Sequence, residues 1–139
     1  MRQLAIRLIA VLALVSSASG VVRGQTRAWI GAWDLDLSQS RYGNQPAPKS
    51  LTMLITASLG QYRVEIFSVD ASGRASRINT MTAFDGTEAA VTGEAVPTVR
   101  GYTGIDDRTF NIVDQVNGRV TTRSHCVVSS DGMTLTLMQ

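Results

Sequence analysis

Apolar and polar residues alternate along most of this chain, and the alternation opens on Trp29-Ile30-Gly31-Ala32-Trp33-Asp34-Leu35-Asp36-Leu37. Side chains on a strand point to opposite faces in turn, so Trp33, Leu35 and Leu37 share one face and Asp34 and Asp36 the other. Trp33 is placed to plug the end of a small barrel, with Gly31 letting neighbouring backbone pass close by. The segment Ser38 to Ser50, with Gly43, Asn44, Pro46 and Pro48, reads as a long irregular connection. Leu51, Met53, Ile55 and Ala57 then alternate with Thr52, Leu54 and Thr56. Past the turn Leu59-Gly60-Gln61 come Tyr62, Val64 and Ile66, with Arg63 and Glu65 opposite. The apolar face switches there to Phe67 and Val69, which predicts a bulge.

Asp70-Ala71-Ser72-Gly73 reads as a turn into a longer, more polar strand from Arg74 to Phe84, and Asp85-Gly86 turns the chain again into Thr87 to Thr92. Gly93, Glu94 and Pro97 interrupt before Thr98 to Ile105. Asp106-Asp107 punctuates, and Arg108 to Val116 follows with Phe110, Ile112 and Val116 on one face. Asn117-Gly118 is the strongest hairpin signal, because both residues tolerate positive φ. Arg119 to Val128, the turn Ser129-Ser130-Asp131-Gly132 and Met133 to Met138 complete about nine strands with no amphipathic helix among them. This pattern predicts an all-β domain, an antiparallel up-and-down β-barrel or sandwich.

Residues 1–24 follow a different rule. Arg2 and Arg7 precede an unbroken apolar run from Leu8 to Val15, and small or polar residues from Ser16 to Gly24 follow, the order of a secretory signal peptide. The expectation is a helical leader at 1–24, a single domain at 25–139, and a secreted or periplasmic location. Eight apolar residues fall far short of the ~20 needed to span a bilayer, so no stable membrane anchor is expected after processing. The leader also carries the charge excess. Arg2, Arg7 and Arg23 precede Gln25, so the remainder holds ten basic residues against 11 acidic ones, and the formal +2 becomes −1. With a single lysine and no basic cluster, nucleic acid is not an expected partner.

Catalytic chemistry finds little to stand on. His125 is the sole histidine, Cys126 the sole cysteine, and neither Gly-x-Ser-x-Gly nor a phosphate-binding glycine loop occurs. His125 reads as a partly exposed strand residue, Cys126 as a buried inert thiol, and Asp106-Asp107 as turn residues. No enzyme, cofactor or metal is expected. One constellation carries a binding hypothesis. Arg100 and Tyr102, two apart on a strand, point to the same side, where an inward pair holds a carboxylate through charge-assisted hydrogen bonds. Trp33, Tyr62 and Phe110 join them as candidate ligand-lining residues, with a plain core role as the alternative reading.

Gly31-Ala32-Trp33-Asp34-Leu35, Pro46-Ala47-Pro48-Lys49-Ser50-Leu51-Thr52, Asp107-Arg108-Thr109-Phe110 and Ser130-Asp131-Gly132-Met133-Thr134-Leu135-Thr136 resemble segments of small exported bacterial proteins described as lipocalin-like. The Gly-x-Trp element is also similar to the first-strand signature of lipocalins and fatty-acid-binding proteins. The resemblance implies a calycin-type barrel holding a small apolar ligand such as a lipid or fatty acid. In the fatty-acid-binding proteins an Arg-x-Tyr pair on the last strand anchors the carboxylate, whereas Arg100-Gly101-Tyr102 lies earlier. The similar chains continue past the Asp-Gly-x-Thr-Leu-Thr strand into a further turn and strand. The expectation here is therefore a barrel left incompletely closed at Met133–Met138, pairing edge to edge as a homodimer or aggregating. The alternative is that Met133–Met138 closes against the first strand. In function the alternative is a structural or interaction module with a packed core and no ligand. If residues 1–24 direct export, intact-mass analysis of the exported protein will give a chain beginning between Ser19 and Gln25; retention of Met1 excludes it.

Overall fold

The computed structural model describes residues 3–7, 12–15 and 27–139. Nine strands follow Arg27: β3 (Gly31–Asp36), β4 (Ser50–Ser58), β5 (Gln61–Val69), β6 (Ala75–Thr82), β7 (Asp85–Ala90), β8 (Val99–Gly104), β9 (Thr109–Val116), β10 (Arg119–Val128) and β11 (Thr134–Met138). They form two antiparallel meanders, β3 to β6 and β7 to β11. Two further strands, β1 (Gln3–Arg7) and β2 (Leu12–Val15), pair with each other and lie between the meanders. β2 runs antiparallel to β3 and β1 parallel to β11, giving the order β6-β5-β4-β3-β2-β1-β11-β10-β9-β8-β7.

No barrel closes. At the far edges β6 and β7 share no ladder, and the single bridge Asn79↔Thr92 joins them. The arrangement is compatible with a β-sandwich: two sheets facing one core of Trp29, Trp33, Met53, Ile55, Val64, Phe84, Tyr102, Phe110, Ile112, Cys126, Val128, Leu135 and Leu137. Two expectations change at the N-terminal segment. Gln3–Arg7 and Leu12–Val15 are strands where a helical leader was expected, and the outer edge of β11 is taken by β1 instead of lying open or closing on β3. The physical reason is common to both: strand edges carry unpaired N–H and C=O groups, and an extended segment paired to them satisfies them. The proposed processing region, Ser16 to Gly24, lies outside the described residues.

The turns follow local chemistry. Asp36, Asp70, Asp85, Asp106 and Asp131 each accept a hydrogen bond from a backbone N–H two to four residues on, the Asx device that lets a short side chain stand in for a turn. Those bonds, with hydroxyl donors at Ser38, Ser72, Thr87, Thr109 and Ser129, hold all five carboxyls below the ordinary Asp range. Asn117 and Gly118 at φ 50° and 72° make the expected tight hairpin.

Elsewhere the strand pattern is adjusted. Leu37 leaves the inward face because Asp36 caps a short 3-10 turn there, and Leu37 is 46% exposed. No bulge forms at Ile66-Phe67: β5 keeps unbroken register with β4 and β6, and Phe67 faces outward under the Arg77 guanidinium. The register shifts fall instead between Asp85 and Glu88 and between Val120 and Thr122. The reversal expected at Asp85-Gly86 is centred one residue earlier, on Phe84 at φ 57°.

The bridge between the far edges depends on a close approach. Asn79 and Thr92 exchange backbone hydrogen bonds of 3.0 and 2.9 Å, and next to them Gly93 sits at φ +91°. A methyl group there would lie 2.1 Å from the Arg77 carbonyl oxygen. Gly93→Ala should therefore cost about 3 kcal/mol, combining a strained φ with a backbone clash. Gly43, at φ +55° with nothing within 4 Å, is the control for strain alone, and Gly43→Ala should cost only about 1 kcal/mol. Thermal melts followed by circular dichroism separate the two; equal effects would remove the close approach as the reason.

Candidate functional site

The two ends of the core differ. At the end built from Tyr62 on β5 and the Phe84 corner, aromatic rings fill the space between the sheets. Trp29 stacks on Phe84 with centroids 4.2 Å apart and meets Tyr62 and Phe110 edge-on at 5.1 and 5.7 Å. Trp33 is 0% exposed and donates from its indole nitrogen to the Trp29 carbonyl at 2.9 Å. Tyr102 lies deeper, 5.1 Å from Phe84 and 6.5 Å from Phe110.

The other end holds a charge pair. Arg100 on β8 and Asp114 on β9 are directly opposed in the antiparallel ladder, so their side chains emerge together on the inner face. The pair is bidentate, Nε to Oδ1 at 2.5 Å and Nη2 to Oδ2 at 2.8 Å, with the side chains only 10% and 18% exposed. Burial disfavours the guanidinium charge, but Asp114 and the neighbouring Tyr102 more than offset it, and the Arg100 pKa is raised. Beside the pair lies a cavity of about 130 Å³ lined by Leu51, Met53, Ile66, Arg100, Ile112, Asp114, Ser124, Leu137 and Gln139, drawn from both sheets.

Of the five residues proposed from the sequence as ligand-lining, Arg100 alone borders this cavity. Arg100 and Tyr102 do share the inner face of β8, yet the carboxylate that Arg100 holds is Asp114. The Tyr102 hydroxyl is fully buried without a hydrogen-bond partner, and burial raises its pKa while the nearby Arg100 opposes that rise. Trp33, Tyr62 and Phe110 belong to the filled core and its aromatic end. Cys126 is fully buried, and burial pushes its thiol well above the ordinary range, the environment of an unreactive cysteine. His125 stands on the outer face with Nδ1 2.7 Å from Asn111 Oδ1.

Sequence reasoning passed over Asp114, although its parity with Phe110 and Ile112 places a carboxylate on an inward face. That signal, matched to the inward parity of Arg100, would have found the pair. Trp29 stood in the opening stretch, in phase with Trp33, but precedes β3 and was not singled out as a core residue.

Larger depressions lie on the outer surface. One of about 530 Å³ runs along Asp106–Thr109 and Val127–Ser130, and another of about 550 Å³ lies between Tyr42, Pro46, Pro48 and Thr121–Arg123. Among the described residues no cluster of metal-ligating side chains occurs, and no helix is long and apolar enough to cross a membrane. No family model, curated protein or solved structure matches this chain.

A buried pair of this kind is costly to break from one side. Asp114→Ala should destabilise the fold by about 3 kcal/mol or more, because it strands the Arg100 charge. Replacing both partners by apolar residues, Arg100→Met with Asp114→Leu, should recover most of the loss. Urea unfolding of the three proteins checks this; if the double variant is no better than Asp114→Ala, the penalty is not that of an unpaired buried charge.

Proposed function

We propose that this domain is an interaction module with a packed core, exported after loss of residues 1–24 and acting through its outer surface and strand edges. The observation that carries the reading is how little space lies between the two sheets among the described residues. Ligand pockets for lipid-sized molecules run to ~300 Å³ or more. Between these sheets the space at the polar end is about 130 Å³. Of the aromatic side chains expected to line a ligand, Tyr62 and Phe110 pack against Trp29 and Phe84, Tyr102 packs against Phe84, and Trp33 donates to the Trp29 carbonyl. The arginine expected to clamp a carboxylate is bonded to Asp114.

The lipocalin-like reading, a barrel around a lipid or fatty acid, would need those rings to separate and the Asp114 bond to open. Each step costs packing or leaves a charge unpaired in a low-dielectric interior. A narrower version of it keeps one point of support: the cavity beside Arg100 and Ser124 suits a ligand of a few heavy atoms with a hydrogen-bonding end.

Native mass spectrometry of freshly purified protein tests the module reading. The expected result is the mass of the polypeptide alone, with no shift of tryptophan emission on adding long-chain fatty acids. A stoichiometric lipid adduct, or saturable quenching of Trp29 and Trp33 by fatty acid, would overturn it.

A further inference from the structure

The cavity beside the Arg100–Asp114 pair has two unlike sides. Leu51, Met53, Ile66, Ile112 and Leu137 form an apolar wall, and Arg100, Asp114 and Ser124 form a polar one. We infer that this cavity is a binding site for a small neutral molecule with a short alkyl chain and a hydroxyl end, a primary alcohol of about five heavy atoms. The inference goes beyond the interaction-module reading, which concerns the outer surface, and its occupant is too small to be a lipid.

Three observations support it. The first is size. The cavity measures about 130 Å³. A dry cavity of ~150 Å³ takes up a molecule the size of benzene, so this one has room for a short chain and none for a fatty acid. Gln139 borders both this cavity and the outer depression at Tyr42, Pro46 and Pro48, which places the entrance between them.

Second, the polar side has unused capacity. Asp114 engages Nε and one N–H of Nη2, which leaves further N–H groups on the Arg100 guanidinium. Ser124 sits opposite Ile112 on the inward face of β10 and is 6% exposed. Among the described residues nothing hydrogen-bonds its hydroxyl, although that hydroxyl borders the cavity. A buried hydroxyl gives up its bonds to water on folding, and a ligand hydroxyl restores one.

Third, the charges on that side balance. Arg100 and Asp114 are bonded to each other, so a charged ligand would enter with no counter-charge and its desolvation would go uncompensated. A hydroxyl both donates and accepts, which suits a side presenting N–H groups and carboxylate oxygens together. Water fills such a space poorly, because it needs about two to four polar partners and the apolar wall offers none. An alkyl chain displaces poorly held water favourably.

Titration of the full, isotope-labelled chain with primary alcohols from ethanol to octanol, followed by two-dimensional amide NMR, tests the site. Saturable shifts should centre on Met53, Ile112, Ser124 and Leu137 and on the Arg100 side-chain N–H. Affinity should rise about fourfold with each methylene up to butanol or pentanol, then stop rising once the cavity is full. Ser124→Ala should weaken butanol about fivefold without weakening chloropropane, which lacks the hydroxyl. Leu51→Phe, which adds a ring to the partly buried side of the wall, should abolish saturable binding of both.

Shifts that spread over the outer strands without saturating, or an equal loss of butanol and chloropropane in Ser124→Ala, overturn the site. Affinity that keeps rising through octanol overturns the size limit and counts against the packed-core module as well. The other two failures leave that module untouched.

Discussion

Trp29 and Phe84 lie face to face at 4.2 Å, and neither sits inside a strand. Trp29 precedes β3 in the first meander, while Phe84 forms the corner at which the chain leaves β6 for β7 and the second meander begins. Each meander has a hydrogen-bond ladder of its own, and apart from the β2–β1 link and the Asn79–Thr92 bridge it is the rings that hold the two sheets against each other. Around the stacked pair, Tyr62 from one sheet and Phe110 and Tyr102 from the other close an aromatic cluster through edge-on and tilted contacts. Such pairs contribute about 0.5–1.5 kcal/mol each beyond their area burial. The cluster explains why Phe84 holds a positive φ that a bulky residue ordinarily avoids. Its N–H is taken by the Thr82 hydroxyl and its carbonyl by Gly104, so the corner is fixed on both sides while its ring is buried.

The Arg100–Asp114 pair does the opposite work at the other end. Burying two charges costs several kcal/mol each before their attraction is counted, so the pair is weak evidence for stability. It is stronger evidence about arrangement. A bidentate guanidinium–carboxylate contact has one good geometry, and here it ties β8 to β9 in one register, since a slip of one residue would send both charges to opposite faces.

The strand and turn plan was legible because period-two alternation and Asx chemistry are local. Nine strands after Arg27 and the Asn117-Gly118 hairpin follow from residues within a few positions of one another. What failed was decided by distant neighbours. Phe67 looked like a face switch, but an unbroken register with β6 places Arg77 over its ring, and an outward aromatic became tolerable. Arg100 looked free to clamp a ligand because its partner lies 14 residues away on another strand. Ladder closure is equally non-local, since hairpin rhythm says which strands follow one another and not whether the first and last meet.

The N-terminal segment shows how one composition serves two environments. An unbroken apolar run from Leu8 to Val15 suits a leader because hydrocarbon makes no hydrogen bonds and an apolar helix satisfies its own backbone. In water, next to a sheet with unpaired edges, Leu12–Val15 of that run satisfies its backbone by pairing outward as a strand. Neither state is written in the segment alone. The choice is made by whatever offers partners for its N–H and C=O groups, and in the intact chain β3 and β11 offer them.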